Sequence, residues 1–221
     1  MIDYFTFDHK LEKSRKILKN MLDTQPIAYF LALCIITFLV LFTKKALVEN
    51  ETVAFQILQE DGRFGVFRIF NTLQFVAIPL IYAYKATLIA FILWVGSFMF
   101  GYKISYKQMW MVAIVAETTF LLPEFVKIMW FILVDHQPDI WEIKAFYPLS
   151  MMGFFDPATV ADNWQYPLKA LNLFEILYWI VLVEAIHATA NKKWNYAFAI
   201  VFTSYVPFFL FWLLYYSQVY K

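Results

Sequence analysis

Between Tyr166 and His187 the sequence reads YPLKALNLFEILYWIVLVEAIH, a stretch long enough and apolar enough to cross a bilayer. A helix of about 17–25 predominantly apolar residues covers the hydrocarbon core. Yet this one carries Asn172 and Glu175 towards one end and Glu184 and His187 towards the other. An ionisable side chain at that depth is costly, so each one is a functional or packing hypothesis that needs a named partner.

Four further runs share this character, and the expected fold is all-α: a polytopic membrane helix bundle with five spans, approximately 26–43, 68–101, 108–134, 167–188 and 194–217. Composition agrees. The chain is 62% hydrophobic and 16% charged, against about 45–50% and about 25% for soluble domains. A net charge of +1, with no Lys/Arg run interleaved with aromatics, gives no reason to expect a nucleic-acid partner. The single cysteine, Cys34, excludes an intramolecular disulfide.

Residues 1–25 form a polar, lysine-rich leader with no small-residue cleavage site, so the first span is expected to be an uncleaved anchor. Residues 8–22 read as a basic amphipathic helix. Leu11, Ile17, Leu18 and Met21 would face lipid or the bundle, or the whole segment is a solvated leader. Residues 26–221 are expected to make one helical transmembrane domain, with extracytoplasmic loops at 43–67 and 135–166.

The run 68–101 admits two readings. As one helix it would be about 51 Å long, more than the hydrocarbon core requires. As two spans it needs a turn within YAYKAT, which has no Gly, Pro, Asn or Asp. Charge decides for one helix. A single crossing puts the N-terminal lysines, Lys103, Lys107, Lys192 and Lys193 on one side, and the acidic 135–166 loop on the other. Lys44 and Lys45 then fall on the acidic side, against the trend.

The third span carries Glu117, Glu124 and Lys127, with Pro123 as the expected kink. At about 100° per residue the two carboxylates lie within about 20° of each other, and Lys127 about 60° from Glu124. A hairpin centred near residue 104 or 105 places Lys85 level with Glu124, so Lys85 or Lys127 is expected to neutralise Glu124. The same count leaves Glu117 beside Leu93 with no cation, to be protonated or bonded to a hydroxyl or indole. Glu175 and Glu184, nine positions apart, point to opposite faces, Glu184 towards the basic 192–193 corner. The last span should kink at Pro207, between flanks rich in Trp and Tyr.

The 135–166 loop is unusually apolar. Trp141, Phe146, Tyr147, Phe154 and Phe155 would either lie in the membrane interface or form a docking surface for a partner. Asp156-Pro157 reads as the cap and first residue of a short helix.

Catalytic and cofactor motifs are sparse. Gly96 to Lys103 only superficially echoes a phosphate loop, because Tyr102 separates Gly101 from Lys103. Asp135, His136, Asp139 and Glu142 match no closed metal site, and Ser150, Ser204 and His187 supply no nucleophile–base order. No cofactor and no catalysis are expected. The candidate intramembrane polar cluster is Lys85, Glu117, Glu124, Lys127, Asn172, Glu175, Glu184 and His187.

Four segments carry a resemblance: Gly101-Tyr-Lys-Ile-Ser105, Leu122-Pro123, Phe146-Tyr-Pro-Leu-Ser150 and Leu171-Asn-Leu-Phe-Glu-Ile-Leu-Tyr-Trp179. Over about residues 68–217 the chain resembles the bacterial branch of the Yip family (Ypt/Rab-interacting-protein type), with Asn172 where that family has aspartate. The resemblance implies five spans, a cytoplasmic N-terminus, an extracytoplasmic C-terminus and no catalysis. It also implies an accessory role in the bacterial inner membrane, of the kind some members have beside ABC-type, MacB-like exporters. The expected function is therefore a non-catalytic accessory or assembly subunit whose partners are the bilayer and other integral membrane proteins. The alternative is a small permease or proton-coupled carrier using the intramembrane carboxylates.

Overall fold

The computed structural model describes residues 4–49, 64–134, 143, 146–156, 158–190 and 193–220, with side chains at 12–48 and, within those later ranges, from residue 72 onward. The elements among these residues are helical. They are α1 (Tyr4–Leu22), α2 (Pro26–Lys44, prolonged by a π turn at Lys45–Glu49), α3 (Phe64–Met99), α4 (Tyr106–Glu117), α5 (Leu121–Leu133), α6 (Asp162–Ala170), α7 (Leu173–Ala190), α8 (Trp194–Ile200) and α9 (Val206–Val219). A 3-10 turn, Thr118–Phe120, joins α4 to α5, and a π turn, Val201–Tyr205, joins α8 to α9. Five rods are long and apolar enough to cross a membrane: Pro26–Val48, Thr72–Met99, Tyr106–Leu133, Leu173–Ala190 and Trp194–Val219.

The 68–101 segment is one helix, as charge asymmetry required, and it runs from Phe64 through Pro79 without a break. It stops where the backbone enters the left-handed region at Gly101, with φ at 72°. There Gly101 N donates to Phe98 O and Tyr102 N to Ser97 O, at 2.9 and 3.0 Å, the paired bonds of a Schellman cap. The next helix opens on a capping box, in which Ser105 Oγ accepts from Gln108 N and Gln108 Oε1 accepts from Ser105 N. These two caps turn the chain within a few residues and make α3 and α4 an antiparallel pair.

Both remaining kink sites combine a proline with a change of helical pitch. A proline lacks the N–H and crowds the carbonyl four residues back. The 3-10 turn precedes Pro123, and the π turn ends just before Pro207. Such turns are the usual means of easing that crowding.

Two boundaries differ from expectation. The polar linker is shorter than 43–67, since helix persists to Glu49 and resumes at Phe64. The fourth span begins at Leu173 rather than 167, because Pro167–Ala170 belongs to the separate helix α6. Asn172 causes the break. Its Oδ1 caps α7 by accepting from Glu175 N at 2.9 Å, while its amide donates to the carbonyls of Lys169 and Ala170. A short bridge between Ser150 and Asn172 pins the preceding loop to this junction. Asp156 caps only a turn, with Oδ1 accepting from Ala158 N, and the helix that follows starts at Asp162.

The core is built around α4, whose residues from Met111 to Glu117 are buried against α3 and α7. Two small residues let the fifth rod approach α3. A Cβ on Gly96 would lie 2.7 Å from Ser204 Oγ, closer than real side chains come. Helix α1 docks at the end of the bundle where α4 begins, with Leu18 and Leu22 packed on the core. That end gathers Lys19, Lys103, Lys107 and Lys193 around two shallow grooves. At the opposite end Phe146 is tied to α5 through Lys127, and α6 to α9 through the Asn163 amide donating to Ser217 O at 2.7 Å.

Candidate functional site: an aromatic cavity with two buried carboxylates

Glu117 is the last residue of α4 and is 0% exposed. Lys85 of α3 reaches it with Nζ 2.6 Å from Oε2, and the same ammonium sits 4.8 Å from the centroid of the Phe120 ring. Removing a carboxylate from water is costly unless it is paired and hydrogen-bonded. Here one oxygen is paired, and the other, Oε1, is buried with no hydrogen-bond partner among the described residues. The Tyr178 hydroxyl is buried without one as well.

The ring of Tyr178 continues the cluster. Its centroid lies 5.0 Å from that of Phe120 and 5.4 Å from that of Tyr205. Tyr205, in the π turn, donates its hydroxyl to Glu175 Oε1 at 2.9 Å, and Trp179 Nε1 donates to the same oxygen at 2.8 Å. Trp179 stands four positions after Glu175, so both side chains share one face of α7. Glu175 is 5% exposed. Ion pairs among the described residues are Arg15–Glu184, Lys44–Glu124 and Lys85–Glu117, and Glu175 is in none of them.

Glu117 and Glu175 both line a cavity of about 610 Å3 between α3, α6, α7 and α9. Half of its lining residues are aromatic, among them Tyr147, Tyr166, Tyr205, Phe208, Phe209 and Trp212, and Lys85 and Lys169 complete its charged groups. Ligand sites are characteristically concave and mostly apolar, about 300–1,000 Å3, with a few convergent polar groups. Burial pushes the Tyr147 hydroxyl well above its ordinary range and lowers the Lys169 ammonium, both at the loop-bearing end of the cavity.

The pairing expected for Glu124 is corrected. Lys85 serves Glu117, and Glu124 is neutralised by Lys44 at 2.7 Å. The expected hairpin centre was too late. The Lys85–Glu117 pairing centres it at the Gly101 cap, one helical turn earlier than residues 104–105. The expectation that Glu117 has no cation beside it falls for the same reason. Lys127 is buried and donates to Phe146 O at 2.8 Å, which ties the loop to α5. Glu184 meets Arg15 of α1 at 3.6 Å and accepts from Trp194 Nε1 at 2.9 Å, while Lys192 of the expected lysine corner lies outside the described residues. His187 is half-buried on the same helix, about three turns beyond the cavity-lining Glu175.

Of the apolar loop residues, Phe146 stacks on Trp130 and meets Phe131 edge-to-face, and Tyr147 lines the cavity. Phe154 and Phe155 are exposed, Phe154 at 82%. Trp141 lies outside the described residues, as do Asp135, His136, Asp139 and Glu142.

Sequence reasoning missed Lys44, Tyr178, Trp179, Tyr205 and Lys169 as members of this polar system. The Glu175–Trp179 spacing was the legible signal. Nothing local marks Tyr205, because its contact with Glu175 spans thirty positions.

No family model matches this sequence, and no curated protein or solved structure matches it either.

Proposed function

We propose that this chain is a small membrane carrier that takes a ligand into the aromatic cavity and performs no covalent chemistry. The observation that carries the reading is a cavity large enough for a small molecule with two buried carboxylates on its wall. Buried ionisable groups on facing helices are the usual furniture of transport pathways. Lys19, Lys103, Lys107 and Lys193 gather at one end, which the positive-inside rule assigns to the cytoplasm. The N-terminus is then cytoplasmic, the C-terminus extracytoplasmic, and the cavity opens in the outer half of a bacterial cytoplasmic membrane. Lys44, which runs against that charge distribution, is largely buried against Glu124, so it acts as a counter-ion more than as a topology signal.

A library screen by thermal unfolding of the purified protein tests this reading, with Ala170→Trp as the cavity-filling control. A ligand that binds only the folded state raises the transition temperature. At least one compound should stabilise the wild type and leave Ala170→Trp unmoved. Stabilisation of both alike would reject the cavity.

A second reading, the accessory subunit of a larger membrane complex related in kind to the Yip family, is favoured by a different observation. Leu149, Met151, Phe154 and Phe155 expose a contiguous apolar loop. Purification of the tagged protein from its native cells in mild detergent, followed by mass spectrometry, would recover a stoichiometric membrane partner on this reading.

A further inference from the structure

The cavity holds two carboxylate–aromatic sites of similar construction. In the first, the chain supplies its own ammonium: Lys85 Nζ lies between Glu117 Oε2 and the face of Phe120. In the second, Glu175 has aromatic neighbours and neutral donors, Trp179 and Tyr205, and no ammonium or guanidinium of the described residues pairs with it. The rings of Phe208, Phe209 and Trp212 line the space in front of it.

Aromatic faces carry a negative quadrupole that attracts cations and repels anions. A carboxylate set among such faces in a low-dielectric space is the chemistry that recognises an organic ammonium or a bulky onium ion. Lys85 does not oppose this, since its charge is taken up by Glu117 at 2.6 Å. Lys169 stands on α6, the one cavity-lining helix outside the membrane-crossing rods.

We propose that the cavity binds a lipophilic organic cation, its charge seated against Glu175 and its apolar body against the aromatic wall of α9. This rests on the cavity reading above and names the ligand class that reading leaves open. An anionic amphiphile is the competing outcome, and the test separates the two.

Tetraphenylphosphonium and tetraphenylborate have nearly the same size and shape and opposite charge. Equilibrium binding of each is measured to the full-length protein in nanodiscs, against protein-free discs, for wild type, Glu175→Gln and Ala170→Trp. Saturable binding of the phosphonium, at least about tenfold tighter than the borate and weakened about tenfold by Glu175→Gln, is the expected result. Ala170→Trp should abolish it. Saturable borate binding that Ala170→Trp removes would keep the cavity as a ligand site and overturn the cation. Equal binding of both ions would do the same. If neither ion binds saturably, or if Ala170→Trp binds as wild type does, the cation and the cavity fall together. The wild-type comparison stands alone should Glu175→Gln fail to fold.

Discussion

Glu117 and Glu175 line the same cavity and are both buried, yet the protein treats them in opposite ways. Glu117 is answered by a lysine 2.6 Å away, on the helix packed antiparallel to its own. Glu175 is answered by an indole and a phenol. A carboxylate matched by an ammonium is a closed internal pair that holds α3 against α4. A carboxylate held only by neutral donors can receive an external cation without an internal ion pair being broken. Packing and ligand recognition are thus divided between two residues of one chemical type.

The largest effect should come from breaking the closed pair on its cationic side. Lys85→Met strands a fully buried carboxylate and is expected to destabilise the protein by about 3–5 kcal/mol, read as loss of thermal stability in detergent. Glu117→Gln should cost distinctly less, because the amide oxygen still accepts from Lys85 Nζ and the ammonium keeps the Phe120 face 4.8 Å away. Equal losses from the two variants would contradict the closed-pair description. Lys44→Met removes the partner of Glu124, a residue with more access to its surroundings. About 1–3 kcal/mol is expected in the same assay. Next in size is Asn172→Ala, which removes the cap of α7 and should cost about 0.5–2 kcal/mol. It should also loosen the 149–151 bridge, visible as faster amide exchange at Met151. The smallest stability change belongs to Glu175→Gln, within about 1 kcal/mol, since an amide oxygen still accepts from Trp179 and Tyr205. A loss comparable to that of Lys85→Met would erase the contrast between the two sites.

The sequence made the bundle legible because apolar run length and charge sidedness are local quantities. They separated one long α3 from two short spans, and they identified every carboxylate of the candidate site. They could not place Asn172 as a helix cap rather than a polar residue inside the span, towards one end. The run 167–188 is unbroken in hydropathy, and the break comes from a side chain competing for backbone hydrogen bonds. Pairing was beyond reach for a related reason. A shift of one helical turn in the hairpin centre, two turns in the α3–α4 register, changes which carboxylate Lys85 meets, and the register is set by the Gly101 cap and the Ser105 capping box together. The Tyr205–Glu175 bond depends in addition on the π turn before Pro207, which rotates the phenol into the bundle. Only tertiary structure brings that pair together.

The division between the two carboxylates can be read directly by chemistry. A hydrophobic carbodiimide, such as dicyclohexylcarbodiimide, adds to protonated carboxyl groups inside the membrane and spares salt-bridged carboxylates. Mass spectrometry of the labelled, digested protein should find the adduct on Glu175 and not on Glu117, with labelling suppressed by tetraphenylphosphonium. An adduct on Glu117 with Glu175 unmodified would contradict the account.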